Sequence, residues 1–243
     1  MGALMDGERW WHEGKRITRR LAKPYMHFVL ALDPGKQQDP AALCAMEFQS
    51  TPQDTFSLQG GTLRQDTRES FVVRYLQRFP LGTSYFSIRD RVAEIAGRAP
   101  FLDACSVVLD ATGAGEPVAE IFDEAGIEVT RIVYTAGLAA EQKQRRPEIW
   151  HVPKAVLVQT LDAYQARGAV VVPADIQERA VLVDEMQAFQ RKTGATGRHT
   201  YDAKSGAHDD VLNALMLATW YAVTWREHYR PGMYGSGHIR GLI

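Results

Sequence analysis

The chain has 243 residues, a formal charge of −1, 45% hydrophobic and 23% charged residues. This balance excludes a disordered chain, which needs low hydrophobicity with high net charge, and a binder held to nucleic acid by bulk positive charge. Two cysteines, Cys44 and Cys105, both in apolar runs, read as reduced thiols of a cytoplasmic protein rather than a disulfide framework.

Residues 1–25 are rich in Arg, Lys, Glu and Trp and lack the apolar core of a signal peptide, so they read as a charged leader or linker remnant. Trp10 and Trp11 within it are either part of an interdomain contact or unstructured. The longest uncharged apolar stretch, Val211 to Trp225, is too short for a membrane span. A soluble protein is expected.

Met26–Leu32 is a short apolar run ending in Asp-Pro-Gly, which predicts a buried strand stopped by a turn. Ala41–Gln49 and Phe56–Leu63 read as two further strands of a meander, and Phe71–Phe79 fits strand or helix. Thr83 or Ser84 can cap a helix that buries Ile88, Val92 and Ile95 and closes at Gly97.

From there the pattern alternates strand and helix. Ala104–Leu109 is a buried strand ending in Asp110. A loop over 111–117 then leads to a helix with Val118, Ile121, Phe122 and Ala125 on one face, and Ile127–Tyr134 is the next strand. Pro153 opens a helix ending near Gly168, and Ala169–Val172 is a short edge strand. Asp175 and Glu178 suggest a capping box for a helix to about Lys192, carrying Ile176, Ala180, Val183 and Phe189 inward. Gly194–Ala207 reads as a polar loop, and a buried helix begins at His208-Asp209-Asp210. The fold expected is α/β: a mixed five-stranded sheet, a three-strand antiparallel meander plus parallel strands, flanked by helices. The domain would span 26–230, with 231–243 a flexible tail.

Asp33 and Asp110 each end a buried strand. If those strands are parallel neighbours, both carboxylates emerge at one sheet edge, strands being about 4.8 Å apart, and repel unless a cation sits between them. Asp209-Asp210 lies at the mouth of a buried helix, where the dipole accounts for one carboxylate better than two. Each aspartate alone is readily a turn former or a helix-start acid. Converging carboxylates without a Cys/His cluster suit Mg²⁺ or Mn²⁺, and two such ions can clamp the attacking and leaving oxygens of a phosphodiester.

The segments ALDPGKQQDPAALC, VVLDATGAGEPVAEIF, WHVPKAVLVQTL and HDDVLNALMLATWYA, in that order, resemble the nuclease domain of tailed-bacteriophage terminase large subunits, from about Met26 to Trp225. The resemblance implies a ribonuclease-H-like fold and a metal-dependent endonuclease, a hydrolase that cuts concatemeric double-stranded phage DNA during genome packaging with two Mg²⁺ or Mn²⁺ ions. Asp33, Asp110 and Asp210 would be the catalytic metal ligands, with Asp209 in reserve. Asp210 is favoured because related junction resolvases carry an Asp-x-x-Asp-Ala-Leu pattern. Here the second acid of that pattern is Asn213, one negative ligand fewer.

The family implies a packaging ATPase domain or subunit, a small terminase subunit and the portal as partners, no membrane, and a phage- or prophage-encoded protein of the bacterial cytoplasm. No Gly-x-x-x-x-Gly-Lys-Ser/Thr loop occurs, so the motor is expected outside this sequence, in a separate chain or a longer one.

DNA contacts are expected from Lys143, Arg145, Arg146, Lys154 and His208, with solvated surface charge as the alternative for the basic residues. His208 could also orient a neighbouring carboxylate. The turn at Gly113 and Gly115 either meets a phosphate or is simply tight. Arg191, Lys192, Arg198 and Lys204 flank a stretch that could reach over a duplex. Rival functions on the same fold are a Holliday-junction resolvase or other ribonuclease-H-like nuclease, and a non-catalytic docking module of a packaging complex.

Overall fold

The computed structural model describes residues 9–12, 15–22, 24–35, 39–59, 62–102, 104–113, 115–193, 199–203 and 208–228. For 9–12, 15–20, 59, 190–193, 199–203 and 227–228 the description is of the backbone alone. The expected tail, Arg198 and Lys204 fall outside it, as do the side chains of Trp10, Trp11, Arg191 and Lys192.

In chain order the elements are β1 (Arg9–His12), β2 (Lys15–Arg20), β3 (Tyr25–Asp33), β4 (Ala42–Gln59), β5 (Thr62–Arg78), α1 (Tyr85–Ala96), β6 (Cys105–Asp110), α2 (Gly115–Glu124) and β7 (Val129–Thr135). They continue as β8 (Glu141–Lys143), β9 (Arg146–Pro153), α3 (Lys154–Ala166), β10 (Val170–Val171), α4 (Arg179–Ala188), β11 (Phe189–Thr193), β12 (His199–Ala203) and α5 (Asp210–His228).

The expected mixed sheet is present and wider than five strands. Its order is β1-β2-β5-β4-β3-β6-β7-β9-β8, with β10 parallel to β5. The meander β3–β4–β5 is antiparallel, and β3–β6, β6–β7 and β7–β9 are parallel. The extra strands come from the leader, as β1 and β2, and from the basic segment after β7, as β8 and β9. β2 and β8 are polar outer strands that hydrophobic patterning does not announce, whereas β9 lies inside β8 and buries Ile149, Trp150 and Val152, a short apolar run that ends where α3 begins.

Both faces of β3 are buried, which is why it reads as a continuous apolar run. Phe28, Leu30 and Leu32 pack with Ile88 and Val92 of α1 and with Val118 and Phe122 of α2. Val29 and Ala31, pointing the other way, pack with Leu157 and Leu161 of α3 and Leu215 and Ala218 of α5.

Four local expectations are corrected. The separate strand over 56–63 does not exist: β4 runs through to Gln59, absorbing Pro52 at a shift of register before Phe56, and Leu63 already belongs to β5. A bulge tolerates the proline and the strand continues. The ambiguous 71–79 is strand as far as Arg78. The capping box at Asp175 and Glu178 is absent, because residues 174–178 turn before the helix and α4 begins only at Arg179; Glu178 makes no side-chain cap bond. Ile176, in the turn before α4, and Phe189, just past its end, do pack against the core as expected, but within the helix the buried residues are Leu182 and Glu185, and Ala180 is exposed. Finally, the expected loop over 194–207 contains β12, paired antiparallel with β11.

Candidate metal centre

Strand alternation decides where the carboxylates point. Asp33 lies two residues beyond Ala31, and Asp110 two beyond Val108, and both alanine and valine belong to the core under α5. Leu32 pairs with Leu109 in the parallel β3–β6 register, so the next residues, Asp33 and Asp110, stand side by side where the two strands end. Helix α5 opens over that edge. Its carbonyl-to-amide ladder starts with Asn213 N donating to the Asp209 carbonyl (2.7 Å), which makes Asp209 the N-cap residue.

A chain of hydrogen bonds ties the parts together. Asn213 Nδ2 donates to Asp33 Oδ2 (2.7 Å), and Tyr134 Oη donates to Asn213 Oδ1 (2.9 Å). Asp33 Oδ1 accepts from Gly35 N (3.0 Å), and Asp110 Oδ1 from Thr112 N (2.9 Å). Thr112 Oγ1 in turn accepts from Tyr134 N (2.8 Å). The turn after Asp110 is tight: Gly113 has φ +63°, and a Cβ on Gly115 would lie 1.9 Å from the Asp110 carbonyl oxygen.

Burial first and the Asp110 carboxylate second push Asp33 up to about 7, although the Asn213 and Gly35 bonds pull it back. Burial raises Asp110 too. Asp210 goes up to about 6 through burial and then Asp33, against the pull of Arg78 and His208. The buried Tyr134 phenol is raised as well, by burial and then by Asp110 and Asp33.

Two cations answer this charge: Arg78 Nη2 lies 3.3 Å from Asp210 Oδ2, and Lys154 Nζ lies 2.8 Å from Asp209 Oδ2. They leave Asp33 and Asp110 without a positive partner at hydrogen-bond distance among the described residues. Buried carboxylates, pushed up first by burial and, for Asp33 and Asp210, also by a neighbouring carboxylate, fit a divalent ion that prefers oxygen. Beside them, Asp39, His208 and Asp210 offer three ligand atoms within 4.8 Å of one another. His208 Nδ1 is 3.5 Å from Asp39 Oδ1 and 3.8 Å from Asp210 Oδ2.

The structure thus brings Asp33, Asp110, Asp209, Asp210, Lys154, His208 and the Gly113–Gly115 turn to one edge. The basic knot lies apart. Lys143, Arg145 and Arg146 are exposed around the β8–β9 turn, and Arg146 Nε donates to Glu148 (2.9 Å). Arg146 is four residues before Trp150, the level of Asp110, and two strands away, which is about 13 Å along the strands and about 10 Å across them. Sequence reasoning missed Asp39, Arg78, Tyr134 and Glu185. Asn213, read as a lost ligand, is instead the amide that holds Asp33. Asp39, six residues past Asp33 across a Pro-Gly turn, was the one with a readable signal.

No protein-family model matches the sequence. The curated terminase large subunit of Thermus phage G20c is 27% identical over 129 residues, 53% of this chain and 23% of the relative's length. Among solved structures, the large terminase nuclease of phage G20c with bound magnesium superposes with a TM-score of 0.54 at 21% identity, covering 90% of this chain and 89% of that one. The nuclease domain of the Thermus phage P74-26 large terminase gives 0.52 at 20%, covering 96% and 90%. The same G20c nuclease has also been solved with cobalt. The fold is that of a large-terminase nuclease domain. The terminase-nuclease fold here carries its carboxylates at the end of the central parallel pair and roofs them with α5. Among the described residues no helix is long and apolar enough to cross a membrane.

Proposed function

We propose that this chain is the nuclease domain of a phage large terminase: a divalent-metal-dependent endonuclease that cleaves double-stranded concatemeric DNA during genome packaging by two-metal phosphodiester hydrolysis. The observation that carries this reading is the meeting of Asp33, Asp110 and Asp210 at one sheet edge, each held above the usual carboxylate range. The fold shared with the magnesium- and cobalt-bound nuclease supports it.

In this reading Asp33, Asp110 and Asp210 would hold two Mg²⁺ or Mn²⁺ ions, with Asp209 held in reserve by Lys154. Bound there, the ions would supply an acidified water and positive charge for the departing 3′ oxygen. The protein's part is placement. Asn213 fixes the rotamer of Asp33, the Thr112 amide fixes Asp110, and Arg78 steadies Asp210. Lys154, His208 and the Gly113–Gly115 turn border the cluster, where a DNA phosphate would lie. Lys143, Arg145 and Arg146 would meet the backbone farther along the duplex.

The nuclease unit would correspond to residues 26–230, with β1 and β2 of the leader adding to its sheet. The packaging ATPase, the small terminase subunit and the portal would be its partners in the cytoplasm of the infected bacterium.

Plasmid cleavage in Mn²⁺ or Mg²⁺ tests the proposal. Asp110→Asn and Asp210→Asn should each slow cutting by about a hundredfold or more while the protein stays folded. Wild-type cutting in EDTA, or undiminished cutting by Asp110→Asn, would refute it. Loss in Asp209→Asn with full activity in Asp210→Asn would exchange the roles of those two residues.

A further inference from the structure

We infer that Glu185 is a positioning residue: it caps α5 from outside the helix and so leaves the Asp209 carboxylate turned toward Lys154 and the other aspartates. The part of this inference that concerns metal rests on the function proposed above.

An aspartate at an N-cap ordinarily turns its side chain back onto the amide of the second or third helical residue. For Asp209 those amides are Val211 and Leu212. The Leu212 amide is already taken: it donates to Glu185 Oε2 at 2.8 Å, across 27 residues of chain. Asp209 makes no bond to an amide of its own helix among the described residues, and its Oδ2 accepts from Lys154 instead. The capping duty and the aspartate have been separated.

Glu185 is an odd residue for its place. It is 5% exposed, on a ten-residue helix whose other buried residue is Leu182, and its Oε1 has no hydrogen-bond partner among the described residues. Burying a carboxylate against a helix packed on the core is costly, and a second carboxylate able to cap stands at the helix mouth already. The cost is intelligible if Asp209 is needed elsewhere. Without Glu185, the Leu212 amide is an unsatisfied donor, and Asp209, three residues before it at the N-cap, is the acceptor placed to take it, Asp210 being held by Arg78. The carboxylate would then leave Lys154 and withdraw from the edge shared with Asp33 and Asp110.

The test has a metal-free arm and a metal arm. In EDTA, Asp209→Ala should change Tm by less than about 2 °C in the wild-type background, but lower it by about 2–4 °C more in Glu185→Ala, where Asp209 has become the cap. By calorimetry with Mn²⁺ alone, Glu185→Ala should bind about tenfold more weakly or worse. Glu185→Gln, which keeps an acceptor for Leu212, should stay within about threefold of wild type. If Glu185→Ala does not fold, Glu185→Asp takes its place, its carboxylate being one methylene short of Leu212.

Equal effects of Asp209→Ala in both backgrounds would overturn the cap. Unchanged Mn²⁺ affinity in Glu185→Ala would overturn the positioning role. A wild type that takes up no Mn²⁺ would instead sink the metal centre, while the melting cycle still decides who caps α5.

Discussion

Neutralising Asp33 should make the metal-free protein more stable, although it removes a residue proposed to be essential. Burial and Asp110 push its carboxyl up to about 7 from an ordinary 3.8, so ionising it in the folded state costs at most about 4 kcal/mol. Asparagine keeps one acceptor oxygen and gives up one of the two bonds from Gly35 and Asn213, a loss of about 1 kcal/mol. Solvent at the open side of the cluster trims the gain further, leaving about 2 kcal/mol. For a chain of this size that is about 4–8 °C in Tm.

The sign follows from linkage. A folded-state pKa above the unfolded value means stability that is complete below pH 3.8 and is lost as pH rises through 7. Asp33→Asn should therefore melt above wild type at pH 8 in EDTA, with the gap narrowing at pH 5. Millimolar Mn²⁺ should reverse the order by stabilising wild type far more than the variant. Scanning calorimetry in four buffers, pH 5 and 8 with EDTA or Mn²⁺, is enough. A variant that melts below wild type at pH 8 in EDTA, or a gap that ignores pH, would refute the reasoning.

Two further predictions concern other parts of the molecule. His27, stacked 4.1 Å from Trp225 and 2.9 Å from Ser106 Oγ, is pushed down to about 4 by burial. Its contribution is present above pH 6.5 and is lost as pH falls toward 4, at most about 3 kcal/mol, so His27→Gln should flatten the fall of Tm between pH 6.5 and 4.5; parallel slopes in variant and wild type would dismiss it. Replacing Lys143, Arg145 and Arg146 together with Gln should leave Mn²⁺ affinity untouched and reduce the slope of log K for duplex DNA against log salt by up to about 3. An unchanged slope in a fluorescence-anisotropy titration would remove the β8–β9 turn from the DNA surface.

The centre of the fold was legible because β3 and β6 are buried on both faces and each ends in an acid that an apolar strand has no use for. The caps of α1 were legible too, since Ser84 and Gly97 act within their own helix. What escaped was set by partners distant in sequence. Glu185 looks like any solvent-facing glutamate until α4 docks on α5, and Arg78 like the end of an amphipathic strand until Asp210 arrives 132 residues later. The capping box at Asp175 and Glu178 obeyed a local rule that the turn over 174–178 overrode. Strands β2 and β8 owe their state to the sheet they extend, and their own sequences are too charged to reveal it.

The alternation along β3 also protects against mistakes in threading. Removing Leu32 would leave a strand as apolar as before, able to lie in the same groove between its neighbours. The acid behind it would then turn toward the apolar core under α1 and α2, away from Asp110, and Asn213 would lose its acceptor. Two unlike layers, each wanting its own set of alternate residues, make that frame error expensive before any catalysis is attempted.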